Sequence, residues 1–238
     1  MAVSPPFVVA LDLPNAEAAV RLAQRIEPYV GGFKVGLGLL LGPGPALVGA
    51  LAELGKPVFA DAKLHDIPSQ VEAAARSLGR HGARWVTTHA GGGMAMIESA
   101  VAGLKTGSSG YGGILAVTVL TSLDAADLAQ VGIPATPGKL VSKMARVASR
   151  AGAEGVVCSP QELGVVAEVA PDLMKVTPGI RPAGAATDDQ SRIATPEEAI
   201  RRGADLLVIG RPITGADDPV AAARDIARQL TAPPTPSA

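Results

Sequence analysis

The sequence has very little cysteine, aromatic side chain or net charge. Its one cysteine, Cys158, excludes an internal disulfide and suits a reducing compartment. Aromatic residues make up only 3% of the 238 positions, so Val, Leu, Ile and Ala must fill the core, which suits a layered barrel better than an aromatic-stacking binding sheet. The formal net charge of −1 argues against a nucleic-acid partner held by electrostatics.

Long apolar runs and several common motifs are also missing. No stretch is long and apolar enough to cross a bilayer, and no basic segment precedes a long apolar run near Met1. We therefore expect a cytoplasmic protein with no signal peptide and no membrane partner. No Gly-x-Gly-x-x-Gly follows the first predicted strand, which removes the usual dinucleotide site. No His, Cys and carboxylate spacing typical of a metal site occurs, and we expect no metal.

Strand-like and helix-like segments alternate about eight times along the chain. The predicted strands are 7–12, 32–37, 57–63, 85–89, 114–120, 155–158, 173–177 and 205–209. The predicted helices are 15–29, 45–54, 68–80, 94–104, 124–130, 139–150, 161–169 and 218–230. Near-continuous apolar strands between helices indicate parallel strands buried on both faces, and eight such units favour a (β/α)₈ TIM barrel over an open doubly wound sheet. We assign residues 1–230 to one barrel domain and 231–238, which contain three prolines, to a disordered tail.

Polar residues stand at or just beyond the carboxyl ends of these predicted strands. They are Asp12, Lys34, Asp61, Lys63, Thr121, Ser122, Arg181 and Arg211. Active sites of such barrels lie at that face, and phosphate often binds near the last two strands. Arg211, with the backbone amides of Gly210 and Arg211, is suited to hold phosphate oxygens. The long connection between Pro178 and Thr195 is typical of a lid.

The stretch 59–68 carries the densest set of charges. Because side chains two apart in a strand share a face, Asp61 and Lys63 are predicted to project together, while Asp66 follows in the loop. An acid–base–acid set at this spacing can keep a lysine charged, aim it and let it supply a proton. A local ion pair at a strand end is the simpler interpretation. Isolated histidines such as His89, and the buried Cys158, are more typical of structural side chains.

Several motifs in this order resemble the orotidine 5′-monophosphate decarboxylase family. They are Asp61-Ala62-Lys63-Leu64-His65-Asp66-Ile67-Pro68, Leu120-Thr121-Ser122, Thr177-Pro178-Gly179-Ile180-Arg181, Gln190 and Ile209-Gly210-Arg211. The resemblance extends from Asp12 to Arg211. It implies cofactor-free conversion of orotidine 5′-monophosphate to uridine 5′-monophosphate in pyrimidine biosynthesis.

The same resemblance implies a role for each matched residue. Lys63 is expected to donate the proton, within a charge network of Lys34, Asp61, Lys63 and Asp66. Asp66 is expected to come from the partner subunit of a homodimer. The substrate-binding residues implied are Asp12 and Lys34 for the ribose, Thr121 for the pyrimidine, and Pro178, Arg181, Gln190, Gly210 and Arg211 for the phosphate and the lid. Many relatives have threonine where this chain has Gln70, and the sequence leaves open whether Gln70 or the adjacent Ser69 contacts the substrate.

Three alternatives remain open from the sequence. Magnesium-dependent sugar-phosphate decarboxylases and hexulose-phosphate synthases share the Asp-x-Lys-x-x-Asp pattern, but the His-Asp-Ile-Pro continuation and Gln190 argue against them. A Schiff-base aldolase is disfavoured because a lysine between carboxylates stays protonated and is a poor nucleophile. A non-catalytic phosphate-binding barrel would keep Arg211 without needing Lys63.

Overall fold

Eight parallel strands close into a barrel in which each strand pairs with the next and the last pairs with the first. The computed structural model describes residues 5–182 and 193–231. The strands are β1 Phe7–Ala10, β2 Gly32–Val35, β3 Val58–Leu64, β4 Trp85–His89, β5 Gly113–Val117, β6 Gly155–Val157, β7 Met174–Thr177 and β8 Leu206–Ile209. The predicted (β/α)₈ TIM barrel is confirmed.

Helices surround this barrel and connect its strands. They are α1 Ala16–Ile26, α2 Leu37–Leu41, α3 Ala46–Ala52, α4 Pro68–Arg80, α5 Met94–Gly107, α6 Ala125–Gln130, α7 Pro137–Arg150, α8 Leu163–Val169, α9 Pro196–Arg201, α10 Arg211–Thr214 and α11 Pro219–Thr231. Local chemistry explains several of their starts. The side chain of Asn15 accepts a hydrogen bond from the Ala18 amide and caps α1. Asp124 and Asp127 form a capping box at α6, and Pro68 begins α4 as predicted.

The observed elements differ from the predicted ones mainly where an apolar run continues past a strand. Strand β2 ends at Val35, and the run that follows it folds into α2, which the sequence did not predict. The short helices α9 and α10 were also missed. Thr231 is the last residue of α11 rather than the first of the predicted tail, and its hydroxyl donates to the Ala227 carbonyl at 2.8 Å. Residues 232–238 lie outside the described part of the chain.

The barrel interior is filled by side chains. The inward cluster consists of Val8, Ala10, Phe59, Trp85, Leu115, Val176, Leu206 and Val208. Phe59 and Trp85 lie opposite each other in the register of β3 and β4 and supply most of the bulk. Lys34 pairs in register with both Ala10 and Phe59, so it also occupies an inward position. A second, larger core lies between the strands and the helices.

Candidate active site

A pocket of about 510 Å³ opens at the carboxyl ends of the strands. The polar, glycine and proline residues that line it are Asp12, Lys34, Asp61, Lys63, Thr121, Pro178, Gly179, Arg181, Gly210, Arg211 and Thr214. Most of the site residues predicted from the sequence therefore meet in one cavity. The apolar part of its wall includes Val117, Val119 and Leu120 at the end of β5.

The charged groups are organised around the Asp61 carboxylate. Its Oδ2 atom lies 2.7 Å from the Nζ atom of Lys63 and 3.2 Å from the Nζ atom of Lys34. The Lys34 ammonium also lies 3.5 Å from Oδ1 of Asp12. Lys34 and Asp61 are both buried, whereas Asp12 is exposed. Two cations thus share one buried carboxylate, with a second carboxylate at the solvent side.

These contacts hold Asp61 in its ionised form. Burial by itself raises the pKa of Asp61, but the charges of Lys34 and Lys63 and the hydrogen bonds from Lys63 and Thr87 outweigh it, so the pKa falls below its ordinary value of 3.8. Because the folded-state pKa is depressed, ionised Asp61 stabilises the fold at pH values above 3.8. That contribution is lost as the pH falls through the folded-state pKa.

Lys63 is held by an irregular piece of backbone rather than by a regular strand. Ala60 of β3 pairs with Val86 of β4, and Leu64 pairs with Thr88. The chain therefore advances four residues along β3 while it advances only two along β4. Lys63 itself has a φ of 47°, in the left-handed region that non-glycine residues rarely adopt. Asp61 and Lys63 do come together as predicted, but through this bulge and not through simple strand alternation.

Asp66 lies apart from the charged network of its own chain, whereas its predicted place is in the network of a partner subunit. It is exposed, it does not line the pocket, and its Oδ1 atom accepts a hydrogen bond from the Ile67 amide at 2.6 Å. Within one chain, the cavity therefore contains Asp12, Lys34, Asp61 and Lys63 without Asp66. The next residue, Ile67, is a large apolar side chain that is 63% exposed.

Two arginines, Arg181 and Arg211, also line the pocket, and a backbone bridge follows β7. Arg181 is buried, and its Nη1 atom donates to the Ile180 carbonyl at 3.0 Å. The backbone of Ile180 bridges that of Ala194, and the Arg181 amide donates to the Ala194 carbonyl at 2.9 Å, so both ends of the long connection are tied together. Gln190 and residues 183–192 of the predicted lid lie outside the described residues.

Two residues that the sequence analysis did not single out lie against the network. A Cβ atom on Gly36 would lie only 2.7 Å from Oδ1 of Asp12 and 3.1 Å from Nζ of Lys34. Thr87 donates a hydrogen bond to Oδ1 of Asp61 at 3.0 Å. A signal for Thr87 was present, because it follows the inward Trp85 by two residues and so occupies the same face.

Two of the three histidines, His65 and His89, form a separate pair beside the network. The rings of His65 and His89 lie 5.4 Å apart between centroids. Burial lowers the pKa of His89, and the neighbouring His65 and Lys63 lower it further. Neither histidine lines the pocket. Cys158 is buried, as the sequence predicted.

Sequence comparison identifies a family that spans almost the whole chain. The sequence model of the orotidine 5′-phosphate decarboxylase / HUMPS family matches residues 5–226. The orotidine 5′-phosphate decarboxylase of Anaeromyxobacter sp. (strain K) is 54% identical over 222 residues, which cover 93% of this chain and 96% of that protein. The protein of the same name from Thermobifida fusca is 50% identical and covers 94% of this chain and 95% of its own length.

Solved structures of proteins with the same name are also similar to this chain. A crystal structure of orotidine 5′-phosphate decarboxylase from Lactobacillus acidophilus superposes with a TM-score of 0.84 at 36% identity, covering 97% of this chain and all of that one. The Pyrococcus horikoshii OT3 structure gives 0.75 at 26% identity over 95% of this chain and 99% of its own. None of the helices within 5–182 and 193–231 combines the length and apolar character that a bilayer crossing requires. Among the same residues, no three His, Cys, Asp or Glu side chains cluster as they would around a metal ion.

Proposed function

The chain belongs to the orotidine 5′-phosphate decarboxylase / HUMPS family, and we propose that the pocket at the mouth of its barrel is the decarboxylation site. The enzyme is a carboxy-lyase of pyrimidine biosynthesis that converts orotidine 5′-monophosphate to uridine 5′-monophosphate and carbon dioxide. The observation that supports this site is the contact of 2.7 Å between Lys63 and a buried, ionised Asp61 inside the cavity.

Lys63 supplies the two things that this reaction needs. When the bond between the pyrimidine carbon and the carboxylate breaks, the electron pair stays on that carbon in an orbital that the ring π-system cannot absorb. The ammonium group of Lys63 stabilises this developing charge and then gives its proton to the carbon, and the resulting amine recovers a proton from solvent. Asp61 aims the ammonium through Oδ2. It also places a negative charge where the substrate carboxylate leaves.

The remaining pocket residues hold the substrate at its other end. Asp12 and Lys34 bind the ribose hydroxyls, and Thr121 contacts the pyrimidine. The phosphate group is bound by Arg181, Gly210 and Arg211 beside Pro178, with Gln190 reaching it from the lid. The presence of all these residues except Gln190 in one lining supports the assignment. Binding energy from the phosphate, far from the reacting carbon, then helps to hold the reacting group in place.

The magnesium-dependent alternative is not favoured. Eight curated relatives that are 44% to 54% identical are named orotidine 5′-phosphate decarboxylase, although the family name also covers the HUMPS branch. A non-catalytic phosphate-binding barrel would not need the contact between Lys63 and the buried Asp61. The single cysteine, which is buried, supports a cytoplasmic location.

We also propose that the working enzyme is a homodimer in which Asp66 completes the neighbour's pocket. Asp66 is exposed and lies outside its own cavity, although it is only three residues from Lys63. The exposed Ile67 beside it offers an apolar contact for a second copy. A two-fold axis near this loop would bring each Asp66 to the other subunit, because a two-fold interface uses the same patch twice.

Lys63→Ala tests the assigned proton donor. We expect the purified wild-type protein to decarboxylate orotidine 5′-monophosphate in the presence of EDTA, followed by the absorbance of the substrate. Lys63→Ala should lower kcat by at least about 1,000-fold, because proton transfer and stabilisation of the carbanion are lost together. The variant should keep its fold by circular dichroism and still bind uridine 5′-monophosphate. Lys139→Ala makes the same change at an exposed position of α7 and should be fully active. Near-normal kcat in Lys63→Ala would remove Lys63 from the mechanism.

Mixing two inactive variants tests the shared site. Lys63→Ala and Asp66→Ala homodimers should both be nearly inactive. In a mixed dimer one site carries both defects, while the other has an intact Lys63 and an intact Asp66. Equal amounts that re-assort at random should therefore recover activity in about a quarter of all sites. If Asp66 acts within its own chain, every site keeps one defect and mixing restores nothing. Native mass spectrometry shows whether mixed dimers have formed.

Gly36→Ala tests the contact between Asp12 and Lys34. The φ of Gly36 is −85°, which alanine adopts readily, so the melting temperature should change by only about 2 °C. The added Cβ atom would displace the Asp12 carboxylate, and we expect kcat/KM to fall by about 10-fold, equivalent to about 1.4 kcal/mol. Gly38→Ala is the matched control, since a Cβ atom there meets nothing within 4 Å. Equal kcat/KM values in the two variants would show that the Asp12–Lys34 contact does not serve the reaction.

A further inference from the structure

Thr87 on β4 joins two parts of the site through a single buried hydroxyl group. Its Oγ1 atom accepts a hydrogen bond from the backbone amide of Lys63 at 2.8 Å and donates one to Oδ1 of Asp61 at 3.0 Å. The residue is 0% exposed and does not line the pocket, so it does not touch a bound substrate. Any effect of Thr87 on the reaction must act through Asp61 and Lys63.

The bulge in β3 explains why a side chain takes this place. Between Ala60 and Leu64 the register with β4 shifts, so the Lys63 amide faces a side chain where a regular sheet would offer a carbonyl. A buried amide without a partner is costly, and the Thr87 hydroxyl satisfies it. The next residue, Thr88, is also fully buried and donates to the Leu64 carbonyl at 2.9 Å. Two adjacent threonines thus bond to Lys63 and Leu64 at the carboxyl end of the bulge.

The hydroxyl of Thr87 also sets the orientation of the Asp61 carboxylate. A hydroxyl has one proton to donate, and here the Lys63 amide uses the acceptor side, which directs that proton to Oδ1 of Asp61. With Oδ1 engaged by Thr87, Oδ2 is left to contact both Lys63 at 2.7 Å and Lys34 at 3.2 Å. The orientation of the carboxylate and the unusual backbone of Lys63 are therefore fixed by the same group.

We propose that Thr87 is a positioning residue that fixes the carboxylate of Asp61 and the backbone of Lys63 in the arrangement needed for decarboxylation. This inference rests on the proposed function. A side chain that holds reacting groups in place acts on the chemical step more than on substrate binding, because the residues assigned to the phosphate lie elsewhere in the pocket. Loss of the hydroxyl should consequently appear in kcat and leave KM nearly unchanged.

The test compares three variants with the wild type in the same decarboxylation assay. Thr87→Val keeps the shape of the side chain and removes the hydroxyl, and we expect kcat to fall by about 100-fold with KM within about threefold of the wild-type value. Thr87→Ser keeps the hydroxyl and should retain kcat within about threefold. Thr88→Val is the matched control. Thr88 is also 0% exposed, but its hydroxyl bonds to the Leu64 carbonyl and not to Asp61 or Lys63. This substitution should lower the melting temperature and change kcat by less than about threefold.

The outcomes separate this inference from the proposed function. A wild-type protein that does not decarboxylate orotidine 5′-monophosphate would overturn the proposed function itself. An active wild type with a fully active Thr87→Val variant would overturn only the role of Thr87. Equal losses of kcat in Thr87→Val and Thr88→Val would show a general effect of the bulge on stability and would also overturn it. If Thr87→Val does not fold, Thr87→Cys replaces it, because a thiol is a weak donor and acceptor, and the same loss of kcat is expected.

Discussion

The burial of the Asp61 carboxylate is the constraint on which the rest of the site depends. A buried carboxylate is stable only when cations and hydrogen-bond donors compensate for its lost hydration. Here Lys34 and Lys63 supply the charge and Thr87 supplies a neutral donor. Because both cations are held by the same oxygen atom, the carboxylate determines where each ammonium group points. Removing Asp61 would leave Lys34 and Lys63 close together without the anion that joins them.

The closed barrel explains how these groups reach one another from distant points in the sequence. Parallel strands present all their carboxyl ends at one rim, so Asp12, Lys34 and Asp61, which follow or lie in three successive strands, become neighbours. Closure between β8 and β1 then brings Arg211 to the same rim. The interior below is filled by residues such as Phe59 and Trp85, which leaves the rim as the place for a ligand.

The sequence predicted the barrel and most of the pocket because both depend on regular periodicity. Eight alternating segments indicated the fold, and polar residues at strand ends indicated the site. Part of what it missed depends on irregular backbone, because the bulge that turns Lys63 to a φ of 47° has no signature in the apolar-to-charged sequence of β3. Thr87 shares a strand face with Trp85, but as an ordinary β-forming residue it gives no sign of its contact with Asp61. Helix α2 was missed because its apolar residues continue those of β2. The sequence placed Asp66 in the loop after the strand, and the structure shows that its side chain is exposed there.

The ionisation of Asp61 is the most direct test of this account, which requires a carboxylate that stays charged between two lysines. The ¹³Cγ chemical shift of Asp61, followed by NMR as the pH is lowered, reports its protonation in the folded protein. We expect Asp61 to remain ionised through its ordinary pKa of 3.8 and to titrate only at a lower pH or on acid unfolding. A pKa for Asp61 above 3.8 in the folded protein would contradict the account, because burial would then outweigh the two lysines.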